Sequence, residues 1–487
     1  MSLTFKYLTK TTGIALLVVG IAMIPSLAVS LIYHETSIAL DFLKLFPVAI
    51  IIGMVMFKRF RHNLDRLVIS DGLLIVIWGW MIAILYGCLP YIISGESPSV
   101  IDGIFESCSG FTTTGATTFT DVEAVPHGLL FWRSTTSWLG GIAILLIAIP
   151  LFPSLGLSGQ SIVSTEINGP ILEKPTPYRK KLSFTLICIY LSLTVAEIIL
   201  LCLGGMGGFD AVIHSFGSVS TGGFSSHNES IAFFGGTYIK VVITIFMVLC
   251  GVNFNLYFNF LRRGFSALHG ESELRLYAFL ILISSVIVIL GLEFGAHAPD
   301  VDNVAVDSVF QTASILTTTG YTVGNYENWP QICQAVLLFL MFVGACSSSA
   351  GGGLKVIRLV MLAKLIGHGI SMRLHPQYYE AIKVNRNRVS PDVMSGVCNY
   401  TLLYASMVVL GSIAVSFETN DMMTAFTSVV SCIGNIGPCF EVIGSSGCYE
   451  SFGGFSKTIL SLLMIAGRLE LYTFFILFSP HYWTQKY

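Results

Sequence analysis

The chain has 487 residues, 54% apolar and 11% charged, with a formal net charge of −2. A soluble domain carries about 25% charged residues, so the composition excludes a soluble protein and points to an integral membrane one. The small net charge says little by itself; where the charges fall says more, and nucleic-acid binding is not expected.

Ten membrane spans are predicted, because the apolar runs reach the roughly 20 residues that cross a bilayer. Region 1–66 is a hairpin of Thr11–Ile32 and Ile38–Phe57. The first run is long, lacks a small-residue cleavage site and is followed by another span, so it reads as a retained helix rather than a signal peptide. Four units follow, over 67–181, 182–275, 276–395 and 396–487, each a span, a short apolar segment, a glycine loop and a second span. Their spans are Leu67–Ser94 with Leu129–Phe152, Leu182–Leu203 with Tyr238–Leu261, Leu276–Phe294 with Gln331–Ile366, and Val397–Phe417 with Ser456–Ser479. The short segments, Ile101–Thr112, Asp210–Ser220, Ala305–Thr317 and Met422–Cys432, are too short to span and suit re-entrant half-helices.

The four loops read alike. Gly115, Gly222, Gly320 and Gly434 each follow small or hydroxylated residues and recur at intervals of roughly 100 residues. Thr113, Thr114, Ser220, Thr221, Thr318 and Thr319 precede the first three glycines; Cys432 and Ile433 precede Gly434, and Asn435 follows it. Non-helical backbone at membrane depth survives only where protein buries it or water meets it. A dehydrated cation needs oxygen ligands, and backbone carbonyls turned toward one axis supply them. Glycine reaches positive φ without steric penalty. A ring of four such loops is the expected ion filter; the alternative is that the glycines let helices pack closely.

Basic residues fall on one side. Lys58, Arg59, Arg61 and Arg66 precede the first unit; Lys174, Arg179, Lys180 and Lys181 follow it. Arg262, Arg263 and Arg275 follow the second, and Lys364, Arg373, Lys383, Arg386 and Arg388 follow the third. The positive-inside rule makes that side cytoplasmic, and an even number of spans puts both termini there too. The outer side carries Asp102, Asp121, Glu123, Asp210, Asp300, Asp307, Asp421 and other acids, either a cation-concentrating mouth or an ordinary solvated rim. The eleven cysteines show no metal-ligand spacing; Cys439 and Cys448 share a polar loop where a disulfide is open. His34, His127, His214, His227 and His297 show no ligand spacing either, and no cofactor is expected.

Five pieces resemble one family: Ser109–Ala116, Val219–Phe224, Thr317–Tyr321, Ile433–Pro438 and Gly467–Glu470. The chain resembles, over essentially its whole length, the Trk/Ktr/HKT superfamily of potassium transporters, in its bacterial uptake-subunit branch. The resemblance implies an all-α integral membrane protein of the bacterial inner membrane, in which four span–pore-helix–loop–span repeats surround one pore with pseudo-fourfold symmetry. It implies potassium at the filter, with Thr113, Thr114, Gly115, Ser220, Thr221, Gly222, Thr318, Thr319, Gly320, Ile433, Gly434 and Asn435 as filter residues. It also implies a homodimer embedded in lipid and a cytosolic nucleotide-binding regulatory ring similar to TrkA. One glycine per strand and unlike loops lead us to expect looser potassium-over-sodium selectivity than in channels with a Thr-Val-Gly-Tyr-Gly filter.

The second span of the third unit contains Gly344, Ser347, Ser348, Gly351, Gly352 and Gly353. Glycine costs about 1 kcal/mol against alanine inside a helix, so the run predicts a break beside a cavity, the alternative being a glycine-rich helix crossing. In the family the corresponding segment obstructs permeation. Arg468 lies mid-span, where an unpartnered arginine costs at least about 2.5 kcal/mol. It is expected to face the pore and contact the Gly344–Gly353 loop as a barrier, or else to form a structural ion pair; Lys355 is a second candidate. Glu470, two positions on, does not share its helix face. A gated, channel-like potassium uptake subunit is the leading reading. A proton- or sodium-coupled symporter is the alternative, for which Glu197 is the clearest mid-span carboxylate, although a first span keeps it peripheral. No enzyme constellation is present. Arg373–Arg388, with Tyr378 and Tyr379, is either a docking surface or a solvated basic loop.

Overall fold

The computed structural model describes residues 3–59, 69–151, 177–268, 270–295, 301–375, 381–385, 387–441, 444 and 447–476. Arg61, Arg66, Lys174, His297, Asp300, Tyr378, Tyr379, Arg386 and the expected end of the last span at Ser479 lie outside the described residues, as do the side chains of Arg179 and Lys180.

The chain is an all-helical, multi-span membrane protein. Helices α1 (Leu3–Ile32) and α2 (Thr36–Arg59) form the initial hairpin. They pack glycine to glycine: a Cβ on Gly13 would lie 2.9 Å from the Gly53 carbonyl oxygen, and one on Gly53 equally close to that of Gly13. Such small-residue faces let helix backbones approach in a bilayer. The lipid-side faces carry exposed residues such as Ile21, Leu31, Leu282 and Phe417, a pattern that lipid and not water tolerates.

The first spans of the four units contain α3 (Ile69–Gly87) with the short α4 (Leu89–Ile93), α7 (Pro177–Leu203), α11 (Ser272–Phe294) and α15 (Pro391–Val415). The short helices are α5 (Val100–Phe111), α8 (Gly208–Ser220), α12 (Val304–Leu316) and α16 (Met422–Gly434). Side-chain caps start three of them. Ser99 accepts from the Asp102 amide at 3.2 Å, Asn303 from Val306 at 3.3 Å, and Asp421 from Thr424 at 2.6 Å. These caps satisfy amides that a helix start otherwise leaves orphaned.

The second spans depart from expectation. Among the described residues seven helices are long and apolar enough to cross, or eight if one bent pair counts as one, against the ten expected. Only the first unit's second span, α6 (His127–Leu151), is a single long helix. The stretch expected as Tyr238–Leu261 divides into α9 (Thr237–Gly251) and α10 (Phe254–Arg263), bent by 87°. Asn253 causes the turn by accepting from the Asn255 amide at 2.9 Å, starting a new helix inside an apolar run. The third divides, as its glycines predict, into α13 (Gln331–Phe342) and α14 (Val356–Leu374). The fourth divides into α17 (Gly454–Arg468) and α18 (Leu471–Ile476), with Glu470 at φ 68° between them. Strands β1 (Lys383–Val384) and β2 (Asn387–Arg388) form a small hairpin between α14 and α15.

Each first span packs on its own short helix, and each second span on the short helix of the next unit: α6 on α8, α9 on α12, α13 on α16, and α17 back on α5. Buried ion pairs reinforce two of these junctions, Lys240 with Asp307 at 2.8 Å and Lys457 with Asp102 at 2.6 Å. All eleven cysteines are unbonded, Cys439 and Cys448 included; Cys448 Sγ instead donates to the Phe119 carbonyl at 3.5 Å.

Valine at Gly53 will force α1 from α2. Overpacking of this kind costs about 1–3 kcal/mol, so Gly53→Val should lower the thermal unfolding midpoint in detergent; an unchanged midpoint would show the hairpin contact to be slack.

Candidate ion pathway

The four loops follow the C-terminal ends of α5, α8, α12 and α16, and all four end the same way. Thr113, Thr221, Thr318 and Asn435 adopt φ of 53°, 56°, 59° and 55°. The next amide, that of Thr114, Gly222, Thr319 or Ile436, donates back five residues, to the carbonyls of Ser109, Gly217, Ser314 and Ser431 at 2.7–2.9 Å. This is the Schellman closure of a helix, usually built on glycine or asparagine. Three of the four positions hold threonine, a β-branched residue for which positive φ is a genuine outlier. Each lies in fully buried surroundings that hold it there.

The following residue in each loop is a glycine at positive φ: Gly115 at 82°, Gly223 at 64°, Gly320 at 82° and Gly437 at 100°. A Cβ on any of them would strike a carbonyl oxygen of the neighbouring loop. Gly115 faces the oxygen of Gly222, Gly223 that of Thr319, Gly320 that of Ile436, and Gly437 that of Thr114 at 2.6 Å. The contacts therefore run from loop to loop and close on themselves.

This corrects the register expected from sequence. Gly222 and Gly434 do not hold positive φ. Gly222 is small because Ser137 fills the space a Cβ would need, beside the 2.8 Å hydroxyl pair of Ser137 with Ser220. Gly434 is the last residue of α16, and Ile433 lies within that helix. The equivalent glycines are Gly223 and Gly437; in the fourth loop α16 runs two residues past its expected end at Cys432, to Gly434, which moves the positive-φ glycine on to Gly437. The remaining expected residues Thr113, Thr114, Gly115, Ser220, Thr221, Thr318, Thr319, Gly320 and Asn435 gather at the four loops. Hydroxyls tie the loops: Thr112 with Thr114 and Thr317 with Thr319, both at 2.8 Å, and Asn435 Nδ2 donates to Thr114 Oγ1 at 3.0 Å. A depression opens over this cycle of contacts, lined by Gly115, Gly223, Gly320, Pro438, Arg133 and His227.

On the other side lies the Gly344–Gly353 loop. A Cβ on Gly352 would overlap the Gly434 carbonyl oxygen, and one on Gly351 would lie 2.8 Å from that of Thr317. The Gly352 amide donates to Thr318 Oγ1 at 2.8 Å. The loop thus sits against the ends of α12 and α16. Gly344 and Gly353 pack on each other where its two ends meet, and the Gly344 amide donates to the Leu354 carbonyl at 2.9 Å. Arg468 Nη1 donates to the Ala350 carbonyl at 2.5 Å, and the Lys355 ammonium donates to the Gly351 carbonyl. Glu273 receives the Ser347 amide at 2.6 Å and its hydroxyl at 2.9 Å, and the Phe254 amide donates to Ser348 at 3.1 Å. Arg358 pairs with Glu470 at 2.5 Å and stacks 3.7 Å from the Tyr400 ring centroid. Glu273, Arg358 and the pairing of Glu470 with Arg358 carry no signal in the sequence. Glu470 does not pair with Arg468, as its place two positions on leads one to expect; at φ 68°, beyond the helix end at Arg468, it turns to Arg358 instead.

Residues 39–485 match the TrkH family, described as "Cation transport protein". The chain belongs to the TrkH family of cation transport proteins. This TrkH-family chain is 34% identical over 486 residues to the Trk system potassium uptake protein TrkH of Escherichia coli (strain K12), covering 99% of this chain and 100% of that one. It is 31% identical to TrkG of the same strain, covering 98% of each. The crystal structure of the potassium transporter TrkH from Vibrio parahaemolyticus superposes with a TM-score of 0.89 at 30% identity, covering 98% of this chain and 99% of that one. The family is one of transport proteins, not enzymes.

The register makes a direct test. Gly437→Ala meets both a positive φ and a carbonyl oxygen at 2.6 Å, whereas Gly434 is helical and a Cβ there meets the flexible Ile436 side chain at 3.1 Å and the Met341 carbonyl oxygen at a milder 3.3 Å. The left-handed penalty alone is about 1–2 kcal/mol. Gly437→Ala should therefore depress both thermal stability and cation flux more than Gly434→Ala; the reverse order would refute the register.

Proposed function

We propose that the chain is a channel-like potassium uptake subunit, in which the four loops form a cation filter and the Gly344–Gly353 loop a gate. One observation carries the reading: four loops of equivalent backbone geometry contact one another in a closed cycle, each presenting carbonyl oxygens at its neighbour's glycine. Carbonyls fixed in this way are hard oxygen ligands suited to an alkali cation. The four units then act as repeats of one orientation around a single axis. The C-terminal ends of their short helices add partial negative charge near the filter. The relatives named as potassium uptake proteins make potassium the ion of choice.

The gate reading rests on position. The loop blocks the space against α12 and α16, and buried Arg468 adds a positive charge to it. A cation moving inward under a negative membrane potential gains about 2.3 kcal/mol per charge per 100 mV, but past the four loops it meets the Gly344–Gly353 loop and the arginine. With the basic connectors inside, the termini are cytoplasmic in this reading. In our reading the protein works as a homodimer in a lipid bilayer, with potassium as the permeant ion and no bound cofactor. The connectors are too short to form a nucleotide-binding domain, so nucleotide control needs a separate cytosolic subunit similar to TrkA; residues 373–388 are its candidate seat.

A coupled symporter needs a titratable group beside the path. Glu197 is buried and receives the Ser218 hydroxyl of α8 at 2.5 Å, which ties it to the back of that short helix. Cation flux into sealed liposomes, with potassium then sodium as the only permeant ion and no pH gradient, separates the two. Flux that follows the imposed potential is expected; potassium entry that demands a proton or sodium gradient would overturn the channel reading. Arg468→Ala should raise basal flux severalfold, and unchanged or lower flux at normal protein amount would sink the gate.

A further inference from the structure

Behind each loop the short helix presents a polar residue seven positions before the left-handed residue: Glu106, His214, Gln311 and Ser428. Four positions after the left-handed residue, on the strand leaving the loop, stand Thr117, Ser225, Thr322 and Cys439. In the first unit these sites are joined strongly. Glu106 Oε1 receives the Thr117 hydroxyl at 2.5 Å, the Thr118 amide at 2.5 Å and the Thr118 hydroxyl at 3.3 Å. In the second, His214 Nε2 lies 3.1 Å from the Ser225 hydroxyl. In the third, neither amide atom of buried Gln311 is bonded, and in the fourth Ser428 turns back to the Ala425 carbonyl at 3.0 Å.

The first unit has one more component. Arg133 of α6 is buried, with Nε 3.2 Å from Glu106 Oε2. Its guanidinium lies 4.2 Å from the ring centroid of Phe224, which follows the second loop, and 5.6 Å from that of Phe119, which follows the first. One buried pair therefore grips the strands that leave two adjacent loops.

We propose that Glu106 and Arg133 are positioning residues that set cation selectivity: they brace the first loop with charge and lock it to the second, while the third and fourth strands are tied to their short helices by neutral bonds, the Ser314 hydroxyl to the Tyr321 carbonyl at 2.7 Å and the Phe440 amide to the Thr427 hydroxyl at 3.2 Å. Carbonyls discriminate between cations only as far as they are held in place, and the three bonds that Glu106 Oε1 accepts hold the first strand, with the Arg133 charge beside Oε2 as an ion pair without a hydrogen bond. Glu106 holds the strand through its oxygens, and Arg133 supplies the charge that lets the carboxylate stay there. The Phe224 face carries the restraint across to the second loop. The ion never meets either residue. The proposal rests on the filter reading, and its test separates the two.

The full-length protein is reconstituted in liposomes, and the potassium-over-sodium permeability ratio is read from reversal potentials. Glu106→Gln keeps the shape and removes the charge-assisted bonds, which contribute about twice as much as neutral ones; the ratio should fall about fivefold or more. Thr117→Val removes the hydroxyl that donates to Glu106 and accepts from the Phe119 amide at 3.1 Å, but no charge, and should lower the ratio in the same direction by less; it serves as the test if Glu106→Gln does not fold. A merely structural pair would lower protein amount and the flux of both ions alike. A conducting Glu106→Gln or Thr117→Val with an unchanged ratio, beside a Gly115→Ser control that shifts it, overturns the brace and leaves the filter standing. A Gly115→Ser control that changes neither flux nor ratio overturns the filter reading and the brace with it.

Discussion

Backbone meets backbone where each loop touches the next. The carbonyl oxygens of Thr114, Gly222, Thr319 and Ile436 occupy the space that a Cβ on the adjoining loop's glycine would need. That contact dictates glycine at four positions, and the helix-end geometry dictates which four. The Schellman closure uses the amide of the residue after the left-handed one and so leaves that residue's carbonyl free to face its neighbour. The cost appears one residue earlier, as threonine at positive φ. Residues held in this way cost about 1–3 kcal/mol each and persist only where their surroundings over-determine them. Here the surroundings are short helices wedged between a first span of their own unit and a second span of the unit before.

The charged groups follow the same division. Toward the depression, Asp102, Glu106 and Asp307 are each paired with a cation from a second span, so that the short helices are tied to the frame around them. Buried pairs of this kind add little net stability, because desolvation offsets their attraction. Loss of one partner is costly all the same, which makes them restraints on position. On the opposite side, Arg468, Lys355, Arg358, Glu273 and Glu470 surround a loop whose residues are all glycine or small. A segment so rich in glycine cannot hold a shape by itself, and its neighbours supply the shape through its backbone.

Much of this was legible in the sequence. The four short helices were placed within two residues at each end, because their length, flanking polar residues and position between apolar runs agree. The break at Gly344–Gly353 was legible from glycine content alone. The register at Gly223 and Gly437 was not, since adjacent or near-adjacent glycines look equivalent until the helix end is fixed. The bend at Gly251–Asn253 was hidden because hydropathy averages over a capping asparagine. The roles of Glu273 and Glu470 were hidden for a related reason: both lie at helix ends, where spacing rules for a continuous helix no longer say what faces what.

Those helix ends explain why the Gly344–Gly353 loop is connected to the rest of the chain. Glu273 grips Ser347, and its neighbours Glu271 and Ser272 bond Asn385 in the β1–β2 turn: Asn385 Nδ2 donates to Glu271 at 2.6 Å, and the Ser272 amide donates to Asn385 at 2.8 Å. Val384 of the same hairpin is buried with Ile357, Val360 and Met361 of α14, the helix that leaves the loop. The hairpin therefore holds the loop from both ends, through α11 on one side and α14 on the other. Packed elements of this kind shift between discrete arrangements rather than deform continuously. A displacement of the hairpin must either carry Ser347 and Val356 with it or break the Asn385 bonds, and either outcome changes how the loop sits against α12 and α16.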